Sequence, residues 1–316
     1  MKRIIKALSF IATAFVLLLV VGLTVFGQRD IPVEKLKLKY ATGASSFMPL
    51  MGMQVHYRSE GNLADSLPLV LIHGTSASLH TWDSLVKLLT ATTHKRIIRM
   101  DLPAFGLTGP NPENKYQAAY YTLFIDSFLQ ALQIKQCLLG GNSLGGAIAW
   151  QYAVAHPDKV NQLVLIDAAG YPIKNEKGSL GFKIASMPII NNLLLVFTPK
   201  SLVKKSLENV FYDPSFITDA TITRYHEMLL RTGNRRAALS LFQNRVAQDA
   251  TAIKTIAAPT LIIWGDQDQL ISVANAYSFQ KDLKNNSLVI LKKVGHIPME
   301  EAPYAVAEAI TKFIKK

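Results

Sequence analysis

The sequence predicts an α/β fold, a mostly parallel central sheet flanked by helices, and three observations predict it. Apolar runs of strand length alternate with stretches of helical spacing from Met53 to Asp167, the rhythm of a sheet buried on both faces. The run Cys137-Leu138-Leu139-Gly140 leads through Gly141-Asn142-Ser143-Leu144-Gly145-Gly146 directly into the helix-like segment from Ala147 to Ala153. Strand, G-x-S-x-G and helix in succession form a tight turn that lifts a serine above a sheet. From Tyr171 to about Thr255 the strand rhythm gives way to helical spacing and then returns, so a helical insertion is expected to cover the sheet.

The elements follow in chain order. Lys2, Arg3 and Lys6 precede the charge-free stretch Leu8 to Phe26. Nineteen residues of helix at ~1.5 Å each nearly cover a bilayer core of ~30 Å. A cleaved signal peptide has a shorter apolar region ending at an A-x-A-like site, and Val25-Phe26-Gly27 makes a poor one. An uncleaved transmembrane anchor over 1–27 is therefore expected, with its basic end in the cytosol and the remainder outside it, on the periplasmic side in a bacterium. Residues 28–45 read as a tether. The core is expected over 46–170 and 256–316, with the cap over 171–255.

Within the core, Met53–Arg58 alternates like a strand, and Leu67–Ile72 is an apolar strand ending in His73-Gly74-Thr75-Ser76. Trp82, Leu85, Leu88 and Leu89 recur at helical spacing, and Lys95–Met100 is the next strand. A helix over Ala118–Leu132 precedes the serine turn, and Gln162–Asp167 is the strand after it. In the cap, Leu202, Val203, Leu207, Val210 and Phe211 share one face, and Gly233 marks a helix stop. The run Leu193–Phe197 reads as cap core, with a lipid-facing or acyl-binding patch as the alternative. After the cap come strand Pro259–Trp264, a helix near Val273–Leu283, strand Ser287–Leu291 and a last helix over Ala302–Ile314.

Composition narrows the function classes. The 316 residues are 49% hydrophobic and 18% charged, with no low-complexity tract, and carry a net charge of +12. The basic residues are scattered, without the aromatic interleaving of a nucleic-acid surface, so no nucleic-acid partner is expected; attraction to anionic lipid is the alternative to a merely solvated basic surface. The single cysteine, Cys137, reads as a core residue and excludes an intrachain disulfide. Paired metal spacing is lacking among the histidines, and no metal or other cofactor is expected.

Two further loops complete the pattern. Strand Leu261–Trp264 runs into Gly265-Asp266-Gln267-Asp268, and the last strand into Val294-Gly295-His296. In a parallel sheet these ends share one edge with Ser143, where ligands bind. On these motifs the chain resembles a capped member of the α/β-hydrolase superfamily from about Met53 to its end, with the cap after the sixth strand. His73-Gly74 resembles that family's oxyanion loop, Asp101-Leu102-Pro103-Ala104-Phe105-Gly106 its D-x-x-G-x-G loop with Ala104 where glycine is usual, and Gly141–Gly145 the nucleophile elbow. Trp264-Gly265-x-x-Asp268 matches its acid loop and Gly295-His296 its histidine loop. The layout is similar to bacterial membrane-anchored lipase/esterase-like members.

The resemblance implies a serine hydrolase acting on carboxylic esters through an acyl-enzyme. Ser143 would be the nucleophile, His296 the base, Asp268 the acid that orients it, and the N–H groups of Leu144 and Thr75 the oxyanion hole, with Ser76 as the alternative second donor. Asp266 and Asp167 are rivals for the acid, and His73 is expected to shape the oxyanion loop. The expected substrate is a small-molecule ester or a lipid-like one; acyl length and oligomeric state are not legible. Amide or C–C bond hydrolysis by the same triad is the alternative chemistry, and a catalytically silent binding scaffold the alternative of another class. Ser143 argues against epoxide hydrolase and haloalkane dehalogenase relatives, which carry aspartate at that position.

Overall fold

The computed structural model describes residues 27–172, 190–243 and 249–315, together with Lys6, Phe10, Thr13, Ala14 and Met187. Eight strands form one sheet: β1 Ser45–Leu50, β2 Met53–Gly61, β3 Leu69–Ile72, β4 Arg96–Met100, β5 Cys137–Asn142, β6 Val160–Ile166, β7 Thr260–Gly265 and β8 Asn286–Leu291. Their order is β1-β2-β4-β3-β5-β6-β7-β8. The pairs β1–β2 and β2–β4 are antiparallel and every other pair is parallel. The central strands are apolar throughout because helices cover both faces. All residues of β5 and β7 are buried, whereas edge strand β8 is half-buried along its length.

The helices are α1 Val33–Tyr40, α2 Asp83–Thr92, α3 Ala118–Ala131, α4 Leu144–Ala155, α5 Lys200–Glu208, α6 Asp219–Leu230, α7 Asn234–Gln243, α8 Ala274–Asp282, the short α9 Pro298–Glu301 and α10 Pro303–Ile314. One face of the sheet packs against Phe124 and Phe128 of α3, Ile148 and Tyr152 of α4 and Phe279 of α8. The other packs against Leu85 and Leu89 of α2 and Val306 and Ile310 of α10. The single helix expected over Ala302–Ile314 is preceded by a separate turn of helix. Pro303 lacks an N–H and fits the first position of a new helix, not the middle of one.

Between β6 and β7 the described residues are helical: the 3₁₀ turn Ile190–Leu195, then α5, α6 and α7. Residues 173–186, 188, 189 and 244–248 of the expected cap lie outside the described residues. Leu193–Phe197 is not cap core. Leu193, Val196 and Phe197 are 51%, 41% and 43% exposed, because this short turn has room for only part of its apolar run against the fold.

The stretch expected as a tether is built into the domain. Leu36 and Tyr40 of α1 bury against Leu107 and Met228, and Tyr40 and Lys39 both donate to Glu227 of α6, at 2.6 and 2.8 Å. Residues 45–50 of the expected tether and core boundary form β1. The expected membrane anchor, 1–27, lies almost wholly outside the described residues; among the described residues no helix is long and apolar enough to cross a membrane.

Candidate active site

Ser143 stands between β5 and α4 at φ 54° and ψ −116°, a conformation that costs a non-glycine residue on the order of 1–3 kcal/mol. Its surroundings hold it there. The Ser143 N–H donates to Ile166 O at 3.1 Å, and its carbonyl accepts from Ala147 and Ala169. The turn is so tight that a Cβ on Gly141 would collide with Gly145 O, and one on Gly145 with Ile72 O and His73 O. Small residues at these two positions are therefore a steric demand, which is why the motif is readable.

Asp268 follows β7 and His296 follows β8, and the structure brings them into direct contact. His296 Nδ1 donates to Asp268 Oδ2 at 2.7 Å, with both side chains almost completely buried. The other carboxylate oxygen accepts from the N–H groups of Leu270 and Ile271 at 2.8 and 3.0 Å. Trp264 braces the same loop by donating from Nε1 to Ile271 O. With its proton on Nδ1, the neutral ring presents a bare Nε2. Ser143 and His296 line one cavity of about 160 Å³. No Ser143–His296 hydrogen bond is formed among the described residues, a spacing common before substrate closes such a site.

The histidine loop is tied to the elbow and to the cap. Asn142 Nδ2 donates to Ile166 O and His296 O, at 3.1 and 3.0 Å, and the His296 N–H donates to Val210 O at 2.7 Å. Glu301 accepts from the N–H groups of Gly295 and Asp213 at 2.7 and 2.8 Å. Sequence reasoning did not single out Asn142 for this task or Glu301 at all. The only available signal was a buried-type polar residue inside an apolar strand.

The rival acids part company. Asp266 is a turn residue whose Oδ1 accepts from the Lys293 N–H at 2.7 Å. Asp167 is fully buried at φ 44°, with Oδ1 accepting from Gly265 N–H at 3.0 Å and Oδ2 lacking a hydrogen-bond partner. Burial, then the neighbouring Asp268 charge, push its carboxyl well above the usual carboxylate range. One ligand-type atom each from Asp167, Asp268 and His296 lie within 4.8 Å of one another. Two of those three are already joined across a shared proton, which leaves a poor cation cage.

On the other side of Ser143, Thr75 and Ser76 line the cavity and Ser76 has φ 62°. Leu144 opens α4, so its N–H is among the first four of the helix, which have no intrahelical acceptor. His73 is fully buried: Nδ1 donates to Gly74 O at 2.7 Å and Nε2 accepts from Leu102 N–H at 3.0 Å. Burial lowers its pKa and keeps the ring neutral. Beneath it, Asp101 accepts from His56, Leu79 N–H and Leu107 N–H, at 2.7, 2.7 and 2.8 Å. The cavity walls above Ser143 come from the cap: Leu194, Leu202, Val203, Leu207, Leu239 and Phe242.

A serine in an elbow, an imidazole–carboxylate pair and an apolar cap now share one sheet edge, and the sequence matches the alpha/beta hydrolase family over residues 69–309. The chain belongs to that family. It is 27% identical over 282 residues to Lipase 1 of Psychrobacter immobilis, spanning 87% of this chain and 84% of that one. It is also 27% identical over 281 residues to the 2-hydroxy-6-oxo-6-(2'-aminophenyl)hexa-2,4-dienoic acid hydrolase of Metapseudomonas resinovorans, spanning 85% and 90%. The crystal structure of a bacterial membrane phospholipase A matches at TM-score 0.73 and 26% identity, over 100% of this chain and 98% of the other. A hydrolase of this family is thus supported, while the relatives divide over which bond is cut.

Proposed function

We propose that the chain is a serine hydrolase of carboxylic esters, held at a membrane by its N-terminal helix with the catalytic domain outside the cytosol. The observation that carries the chemistry is the buried Asp268–His296 pair at 2.7 Å, on the same apolar cavity as Ser143. Ser143 Oγ attacks the ester carbonyl while His296 Nε2 takes its proton. Asp268 fixes the tautomer and stabilises the imidazolium. The developing oxyanion accepts from the N–H groups of Leu144 and of Thr75 or Ser76, an interaction of about 3–4 kcal/mol per donor. His296 then protonates the departing alkoxide, leaving an acyl-Ser143 ester. Water activated by His296 cleaves that ester and releases the acid.

The cavity supports an acyl chain because most of its cap walls are aliphatic or aromatic, with Thr198, Ser206 and Arg235 as the polar residues among them. The anchor rests on the basic start and the charge-free Leu8–Phe26, together with the full-length likeness to a membrane phospholipase A. A fluorophosphonate probe tests the nucleophile: the wild type should label and Ser143→Ala should not. A p-nitrophenyl ester series from acetate to palmitate then locates the acyl optimum. Labelling without turnover of any ester would move the assignment to amide or C–C bond hydrolysis, and failure of the folded protein to label would move it to a binding scaffold.

A further inference from the structure

We propose that the exposed cap turn formed by Leu193, Val196 and Phe197 sits in the headgroup layer of the membrane, so that the catalytic cavity opens toward lipid. This rests on the anchor reading above and adds a second contact with the bilayer. The apolar N-terminal segment ends close to this turn. Phe26 is two residues from Gln28, and two residues of chain reach at most about 7 Å. The Gln28 N–H donates to Val196 O at 2.8 Å, and Gln28 Oε1 accepts from the Thr198 N–H at 2.6 Å. A segment spanning the bilayer core therefore leaves Val196 within about 10 Å of the core boundary. The headgroup layer on each side is about 5–7 Å deep, so the turn lies in that layer or within a few ångströms of it.

The joint is fixed. Arg235 Nη2 donates to Gln28 O at 2.8 Å, and the same guanidinium grips Asp30 Oδ1 through Nη2 and Nε at 2.6 and 3.1 Å. The Ile31 N–H donates to Leu230 O at 2.7 Å, and Ile31 O accepts from the Thr232 N–H at 3.0 Å. Anchor exit and cap are thus one piece, and the cap cannot swing clear of the membrane without breaking these contacts. The surface presented there is also the right one: Leu193, Val196 and Phe197 are 51%, 41% and 43% exposed, an apolar patch of the kind that marks an interaction site. The exposed cations Arg29 and Lys200 flank it along the two chain segments, suited to lipid phosphates. Next to the exposed residues in the chain, Leu194 and Thr198 line the cavity that holds Ser143. A bilayer ester would reach the serine without crossing water.

The test uses the full chain in phosphatidylcholine vesicles with brominated acyl chains. Trp82, Trp150 and Trp264 are all buried, at 0–2% exposure, and provide a subtractable background for Phe197→Trp. The expected result is flotation with the vesicles and quenching of the added emission. The paired substitution Leu193→Ser with Phe197→Ser should keep p-nitrophenyl butyrate turnover and fluorophosphonate labelling, and lose about tenfold in turnover of a long-chain ester embedded in the vesicles. Protein that floats but shows no quenching, or no selective loss, overturns the docking and leaves the anchor standing, with a protein partner as the occupant to seek. Protein that does not float removes the anchor and the docking together.

Discussion

Replacing Asp268 by asparagine exchanges one carboxylate oxygen for an amino group, and the structure dictates which one. Oδ1 accepts from the N–H groups of Leu270 and Ile271, so the amide must keep its carbonyl there and turn its NH₂ toward His296 Nδ1, 2.7 Å away in the native pair. Nδ1 then has to accept, the ring proton moves to Nε2, and the imidazole faces Ser143 as a donor with no lone pair to take a proton. In a triad hydrolase a wrong tautomer of this kind costs about 10⁴-fold in kcat, or about 5.5 kcal/mol of transition-state stabilisation. Asp167→Asn is the matched control. Burial and the Asp268 charge push that carboxyl well above the usual carboxylate range, and it accepts one bond from Gly265 N–H. An amide keeps that acceptor and, like the protonated acid, can donate, so it should change kcat/KM by less than about threefold. Steady-state ester hydrolysis and the rate of fluorophosphonate labelling report both, with circular dichroism to show that each variant is folded. Asp268→Asn within tenfold of wild type, or a collapse in Asp167→Asn, would refute the assignment of the acid. Asp167→Asn has a second signature. A carboxyl whose folded pKa is raised above its unfolded value favours the fold at low pH and loses that contribution as pH rises, by about 1.4 kcal/mol per unit between the two values. The variant lacks this slope, so its stability relative to wild type should grow as pH rises above the unfolded aspartate range of about 3.9.

Acid should act through another pair of residues. Burial lowers the pKa of His73 and takes His80 down to about 4. Both rings are satisfied while neutral: His80 Nε2 donates to Tyr40 O and its Nδ1 accepts from Ser78 Oγ. Their stabilisation is complete above an unfolded pKa of about 6.5 and is lost as pH falls through that of the folded state. The urea midpoint should therefore drop steadily from pH 7 to pH 4.5, and His80→Gln should flatten that drop by close to one proton; a midpoint independent of pH over this range would contradict the neutral assignment. Gly145→Ala should cost about 1–3 kcal/mol of stability and slow fluorophosphonate labelling, because the new methyl group meets the carbonyls of Ile72 and His73 at the root of the oxyanion loop. Unchanged melting and labelling would mean that the elbow is looser than its packing indicates.

What the sequence disclosed and what it withheld divide along the length scale of the interactions involved. The central strands were readable because burial on both faces demands unbroken apolar runs, as in Leu69–Ile72 and Thr260–Trp264. Ser143 was readable because Gly141 and Gly145 answer a steric demand within five residues. Asp268 and His296 could be placed because the strands before them deliver both to one sheet edge. Strand β1 was not readable: it is short, half-exposed and contains Pro49, and only its pairing with β2 makes it a strand. Nor was α1, whose reason to be a helix lies in Glu227 and Met228, nearly two hundred residues away.

The same boundary explains why the contacts that hold His296 in place are not legible near it in the chain. Glu301 holds the histidine loop by accepting N–H groups from Gly295 and from the cap residue Asp213, and Val210 O receives the His296 N–H. A single carboxylate and a single carbonyl thus tie the His296 loop to the cap that walls the cavity, although nothing near residue 301 in the chain announces such a role. The cap is bound in turn to the segment leaving the N-terminus through Arg235, Asp30 and Gln28. The His296 loop, the cap and residues 28–31 are therefore one mechanical unit, each link made by buried or half-buried polar groups that are costly to leave unpaired. In such an arrangement the path of residues 28–31 and the shape of the cavity are not independent variables, and a substitution at Arg235, which lines that cavity and holds Asp30 and Gln28, should disturb both at once.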